Sequence, residues 1–411
     1  MTETSSTNAE TGTDKSLAVR NTTLLALSQA TGGSNQAVVM SVGALTGAML
    51  APSESLATVP TSAMIIGLAL SASPATFVIY RLGRRYGFML GTLIAMLGGV
   101  LACLSVLMGN FYLFSAALIL VGAGAAFSQQ YRFAVADSVA HDMKARAISY
   151  VMLGGIAAGL IGPKLAYFSR NLIEGHEFAG SYLMVTMLSI VAAALLYFTR
   201  LAPVVHQPKH EYTGRSLPEL LKTPEIFVPI ISAMASYALM TFVMVAAPLA
   251  MVHVCGLPVQ EATDAIQWHI VAMFAPSFFT PWVIKKLGTH LTTGIGLVLI
   301  LLCAATALNG LSTLHFDIAL VFLGIGWNFG FIGATSMLTS AYRPEEAARV
   351  QGLNEQLVFG TMAVASIFSG VLLNMIGWQA VNVLVIPVAT AVIALLAWSD
   401  ARARKARQAE I

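Results

Sequence analysis

Charge is what this sequence has least of: Asp, Glu, Lys and Arg make up 10% of its 411 residues, against roughly 25% in an ordinary soluble domain. A water-facing globule is therefore a poor description of the chain. The three cysteines, Cys103, Cys255 and Cys303, have neither metal-ligand nor redox spacing, so they read as small apolar filler. There is no His-Glu-x-x-His, no Gly-x-x-x-x-Gly-Lys-Ser/Thr and no Gly-x-Ser-x-Gly, which argues against zinc hydrolysis, a phosphate-cradling loop and a serine hydrolase. An ATP-driven pump would also need a soluble nucleotide domain. The chain reads as no enzyme, with no cofactor and no bound metal. Its net charge of +3 is spread along the chain rather than gathered in a groove, so no nucleic-acid partner is expected. The first residues are rich in Ser, Thr and Glu and lack the basic-then-apolar order of a cleaved leader; residues 1–18 read as a disordered tail.

What the sequence has in abundance is apolar runs. Hydrophobic residues make up 57% of the chain and gather in stretches of about 20, enough to cross a bilayer core of roughly 30 Å. Spans are expected near 22–46, 59–80, 87–108, 112–134, 147–168, 181–199, 226–252, 263–284, 291–308, 316–338, 350–373 and 379–398. The fold class is thus an all-α polytopic membrane protein with twelve transmembrane helices. With the N-terminus inside, Arg20, Arg81, Arg84, Arg85, Arg200, Lys285, Lys286, Arg343, Arg349 and Arg402 all fall on the inner side, and Arg170 alone lies in an outer loop. Short loops rich in Lys and Arg stay inside, so both termini are expected to be cytoplasmic.

The polar stretch 201–225 separates six spans from six. It reads as a cytoplasmic linker between bundles at 19–200 and 226–399, with a basic tail at 400–411. The halves echo each other: Arg81-Leu82-Gly83 with Lys286-Leu287-Gly288, Val121-Gly122-Ala123-Gly124 with Leu323-Gly324-Ile325-Gly326, and Ala145-Arg146 with Ala348-Arg349. Parallel repeats joined by an inside loop imply a pseudo-two-fold axis along the membrane normal and a cavity near the midplane. With this plan, and with Arg81-Leu82-Gly83-Arg84-Arg85 after the second span, the chain resembles the major facilitator superfamily (MFS) of secondary transporters from about residue 20 to 400. Family members commonly carry Gly-x-x-x-Asp-Arg-x-Gly-Arg-Arg/Lys there. This chain departs from that pattern with Thr76 at the glycine and Tyr80 at the acid.

The resemblance implies alternating access and an inner gate in which Arg81, Arg84 and Arg85 pair with Asp137 at the end of the fourth span; a topology anchor is the structural alternative. Glu345, Glu346 and Arg349 hold the matching place in the second half, where acids in a first helical turn also meet the helix dipole favourably. The fifth span carries Gly154, Gly155, Gly159, Gly162 and Pro163, small residues that let helices approach closely. The longer glycine motif of exporters in the family breaks off at Lys164-Leu165-Ala166.

Polar residues within spans are costly and so are candidates for function. Gln29, Asn35 and Gln36 on the first span, Gln129, Gln130 and Arg132 on the fourth, and Tyr237, Trp327, Asn328 and Gln356 in the second half form the candidate substrate site. Interhelical polar packing is the structural alternative for the amides, and packing against neighbours or lipid for the aromatics. His269 and Glu355 are the groups placed to carry a coupling proton, with an interfacial hydrogen bond and a salt bridge as their structural readings. A uniporter stays open. The expected function is uptake of a small organic solute, anionic or aromatic, by a rocker-switch carrier that is monomeric, sits in the bacterial inner membrane with lipid as its surroundings, and is a symporter if proton-coupled. A proton-driven exporter and, from another class, a transporter-like receptor are the alternatives.

Overall fold

Inside a bilayer every backbone N–H and C=O needs a partner within the chain, which leaves helices as the economical solution for such apolar runs. The computed structural model describes residues 3–136, 138–139, 144–201, 215–343 and 346–409. It contains α1 (Glu3–Leu50), α2 (Val59–Leu82), α3 (Arg84–Leu107), α4 (Phe111–Ser128), α5 (Tyr131–Ala136), α6 (Lys144–Ser169) and α7 (Ala179–Tyr197). These are followed by α8 (Leu217–Leu221), α9 (Pro224–Leu249), α10 (Val259–Phe274), α11 (Thr280–Leu287), α12 (Thr289–Asn309), α13 (Thr313–Thr339) and α14 (Ala347–Ala409). No strand occurs among the described residues.

Among the described residues nine helices are long and apolar enough to cross a membrane, and ten if the bent α10–α11 pair is one span. Twelve is consistent with this, because α1 is not among the nine and α14 is two helices joined at Gly377, where φ of 78° interrupts the helix. A left-handed residue of this kind is easiest for glycine, which has no Cβ to clash.

Three spans differ from the uninterrupted runs expected. The fourth breaks at Gln129-Gln130 into α4 and α5. The seventh closes in a π turn, Ala250–Val254, after α9. The eighth ends as α10 at Phe274, passes through a 3-10 turn at Ala275–Phe278 and resumes as α11 at an angle of 56°. Pro276 and Pro281 lie in and just after this turn, and a proline cannot donate the backbone bond a continuous helix requires. The polar leader from Glu3 onward and the basic residues near the C-terminus continue α1 and α14 as helix.

The chain forms two compact units, one of Met1–Val42 with Gly67–His206 and one of Gly43–Ile66 with Gln207–Ile411. In the first, α3 packs on α4 and α7, and α6 on α5 and α7. Small residues allow α6 to approach α1 closely: a Cβ on Gly154 would stand 2.3 Å from the Ala26 carbonyl oxygen. In the second, α9 packs on α13 and α14, and α12 on α13. The turns after α2 and α11 repeat each other, since Gly83 and Gly288 share φ of 81° with ψ of 158° and 164°. The sequence echo is therefore also an echo in backbone geometry.

Candidate functional site

In the first unit the polar face of α1 divides by depth. Gln29 and Gln36 are half-buried, while Asn35 is buried and donates from Nδ2 to Ser189 Oγ on α7 at 2.9 Å. Gln129 and Gln130 form the break between α4 and α5, where Gln130 donates to the Thr76 hydroxyl of α2 at 3.2 Å. Thr76, which stands where the family pattern has glycine, thus serves as an acceptor at that break. Arg132 follows on α5, half-buried.

The arginines of the α2–α3 turn lie against rings. The Arg81 guanidinium sits 4.9 Å from the centroid of Phe77, and Arg85 4.7 Å from that of Tyr197. Such contacts suit a delocalised, weakly hydrated cation. Arg84 is half-buried at the first turn of α3. Asp137, the proposed partner of these arginines, lies outside the described residues.

In the second unit Tyr237 of α9 sits at the centre of an aromatic cluster. Trp327 and Phe331 of α13 pack edge-on against it at 5.1 and 4.9 Å, and Phe359 of α14 at 6.0 Å. Trp327 and Phe331, one helical turn apart, lie nearly parallel at 11° and 5.5 Å. Phe274 of α10 closes the group at 6.2 Å from Trp327. Tyr237, Phe331 and Phe359 are half-buried, while Trp327 is 6% exposed and its indole N–H finds no acceptor among the described residues. A buried donor without an acceptor costs about 1–3 kcal/mol, so this N–H is the group in the cluster best placed to take a carbonyl from outside the protein.

Asn328, next to Trp327, faces a different task. Its Nδ2 donates to the Met273 carbonyl and to Ser277 Oγ, both at 2.7 Å, and its Oδ1 accepts from Thr280 Oγ1 at 2.6 Å. The amide is thus taken up in bracing the α10–α11 bend, and Asn328 belongs to that brace rather than to a substrate cavity. His269 is fully buried with Nδ1 2.8 Å from the Leu320 carbonyl, while Glu355 and Gln356 are exposed on α14.

Glu346 is held by a clasp. Its carboxylate accepts from Nε and Nη2 of Arg215 at 2.9 Å each, and from the backbone N–H groups of Arg215 at 3.1 Å and Arg343 at 3.0 Å. Arg349 donates in turn to the Arg215 carbonyl at 3.1 Å. The Arg215 hydrogen bonds, with the backbone bonds behind them, hold the Glu346 carboxyl at about 2, well below the usual carboxylate range. This fork-on-fork pair ties the segment before α8 to the start of α14.

Several of these residues are outside the substrate site expected from sequence. Phe331 and Phe359 complete the ring cluster, Ser277 and Thr280 the brace, and Arg215 the clasp. The Trp-x-x-x-Phe spacing of 327 and 331 was the one local signal available, since it puts both rings on one helix face.

The sequence profile described as Major Facilitator Superfamily matches residues 22–362. The riboflavin transporter RfnT of Brucella anthropi is 44% identical over 384 residues, covering 93% of this chain and 96% of that protein. An uncharacterized MFS-type transporter of Bacillus subtilis, YddS, is 28% identical, with coverages of 84% and 83%. Among solved structures, the nucleoside transporter NupG superposes with a TM-score of 0.71 at 14% identity over 92% of this chain and 98% of its own. An auto-inhibited POT family peptide transporter gives 0.68 at 12% identity over 94% and 97%. At such identities these two speak for the fold alone.

Proposed function

The chain belongs to the Major Facilitator Superfamily, a multi-pass membrane transporter family, and from that premise we propose that this member carries a flavin, riboflavin or a near analogue, into the cell. The observation that carries the reading is the 44% identity to a riboflavin transporter over almost the full length of both chains. The aromatic cluster of the second unit supports it physically. A flavin is a flat ring system with apolar faces and carbonyl oxygens along one edge; aromatic side chains suit the faces, and the Trp327 N–H suits a carbonyl. The half-buried amides Gln29, Gln36, Gln129 and Gln130 with Arg132 are assigned to the polar groups of the solute, and Gln356 to the rim.

In this reading two six-helix bundles, 19–200 and 226–399, rock about the bound solute, with both termini cytoplasmic in the inner membrane of a bacterium and one chain sufficient for transport. Inward transport is favoured because the exporter glycine motif stops at Lys164. A proton is the proposed coupling ion. Glu355, exposed on α14, is better placed to exchange it than His269, which is sealed against the Leu320 carbonyl.

The test uses the purified full chain in liposomes with labelled riboflavin. Saturable uptake, competed by unlabelled flavin and reduced by Trp327→Ala, is expected; the absence of flavin uptake in either direction sinks the substrate assignment. An inward-acid gradient should drive accumulation, and Glu355→Gln should abolish that drive while leaving counterflow. Gradient-driven accumulation by the variant would remove Glu355 from the coupling.

A further inference from the structure

We propose that the first unit binds a sodium ion beside the break between α4 and α5, a site independent of which solute is carried. α4 ends at Ser128, the chain turns through Gln129 and Gln130, and α5 restarts at Tyr131. Against that end lies a cavity of about 10 Å³ bordered by Asn35, Thr92, Ser128 and Tyr131, with Gly32 and Gly124 giving it room. The space is that of one water molecule or one small ion.

The orientation of the polar groups around it follows from their other hydrogen bonds. Ser189 gives its hydroxyl proton to the Val185 carbonyl at 2.8 Å. It can therefore only accept from Asn35, which must present its N–H₂ there and leave Oδ1 free to point elsewhere. That Oδ1 belongs to a residue 4% exposed and has no hydrogen-bond partner among the described residues. Thr92 gives its proton to the Met89 carbonyl and Ser128 to the Ala125 carbonyl, both at 2.8 Å. What these two hydroxyls have left is lone pairs. Asn35, Thr92 and Ser128, all bordering the cavity, thus each keep an oxygen with lone pairs to offer, next to the C-terminal end of α4 with its partial negative charge.

A water molecule has two protons for those three oxygens and could accept one from the Tyr131 hydroxyl, whereas a cation meets the lone pairs of all the lining oxygens at once. Oxygen donors select a hard ion. Calcium and magnesium rely on carboxylates, and no carboxylate lines this cavity. The small volume favours sodium over potassium. Discontinuous membrane helices are also where transporter folds commonly hold a cation, with half-helix C-terminal ends turned toward it.

The experiment is thermal unfolding of the purified full chain, without flavin, in NaCl, KCl and choline chloride at equal ionic strength. A saturable rise in midpoint of about 3 °C or more is expected in sodium alone. Thr92→Val and Ser128→Ala should each lose most of that rise while unfolding near the wild-type midpoint in choline. Asn35→Asp, which adds a charge to the same oxygens, should respond to lower sodium concentrations than the wild type. Identical wild-type midpoints in the three salts, with no saturable ²²Na⁺ binding, would overturn the site and leave the cavity to water. A sodium shift retained in both oxygen-deleting variants would overturn the assignment of the ligands. Because flavin is absent throughout, neither outcome depends on the substrate reading.

Discussion

Ser62 of α2 and Ser366 of α14, 304 positions apart in the chain, share a hydrogen bond of 2.7 Å with both side chains fully buried. Ser62 gives its own proton to the Thr58 carbonyl, so Ser366 is the donor between them. The pair is the middle of a seam in the second unit. One turn away a Cβ on Gly370 would stand 2.0 Å from Thr58 Oγ1, and one turn further Asn374 donates to Glu54 at 3.0 Å. Residues 54, 58 and 62 thus meet 374, 370 and 366 in antiparallel four-residue steps, the spacing that aligns one face of a helix. In the alternating-access reading proposed above, residues 54–62 move with bundle 19–200 and residues 366–374 with bundle 226–399, so this seam is expected to open in one half of the cycle.

Gly370→Val should hold the seam apart. Uptake is expected to fall at least about tenfold, equivalent to about 1.4 kcal/mol of bias between states. A cysteine placed at Ser62 in a background without native cysteines should become more reactive to an impermeant thiol reagent. Wild-type uptake and unchanged labelling would show that the seam is not a gate.

Trp327→Phe keeps one six-membered aromatic ring and removes the N–H together with the fused five-membered ring. Loss of one hydrogen bond of about 1–1.5 kcal/mol should weaken flavin binding roughly tenfold, read by quenching of flavin fluorescence on titration. Trp327→Ala, which also removes the stacked face, should cost more. Equal affinity of the Phe variant and the wild type would place the carbonyl contact elsewhere.

The brace at the α10–α11 bend predicts coupling between Asn328 and Thr280. Asn328→Ala takes the side-chain donor away from the Met273 carbonyl and Ser277 Oγ, while Thr280 keeps the Pro276 carbonyl, and should destabilise the protein by about 1–3 kcal/mol. Thr280→Val should cost less, and the double variant less than the sum, because both belong to one network. Additive losses in thermal or denaturant unfolding would count against a shared brace.

The Glu346 clasp sets a pH dependence of defined sign. Its carboxyl is held at about 2, below the usual 4.5, so the folded state binds its proton more weakly than the unfolded chain does. The stabilisation is therefore fully present above the ordinary carboxylate value and declines as pH falls toward 2. The midpoint difference between wild type and Glu346→Gln should be constant from neutral pH down to about 5 and shrink in more acid solution. A difference that grows on acidification would reverse the assignment.

Much of this architecture was legible in the chain itself. Spans of apolar residues must become helices because a bilayer offers the backbone no other partner, and paired signals such as Gly83 and Gly288 reappear with the same backbone angles. The glycines of the fifth span read as a close-packing face, and Gly154 does meet the Ala26 carbonyl. Site residues were harder to read. Trp327 and Asn328 are adjacent polar-capable residues on one helix, yet their side chains leave it in different directions, one into a ring cluster and one into the bend.

Sequence by itself determined the solvent this protein lives in, the helices that result and the family it belongs to, because burial of apolar runs and satisfaction of the backbone are local demands. Tertiary structure alone decided which polar atoms are already spoken for. Asn328, Asn35 and Glu346 look alike as buried polar residues in the chain. Their partners, Ser277 and Thr280, Ser189, and Arg215, come from distant segments, and a hydrogen bond is short-ranged enough that only the packed fold can say which atoms it has used and which it leaves for a ligand.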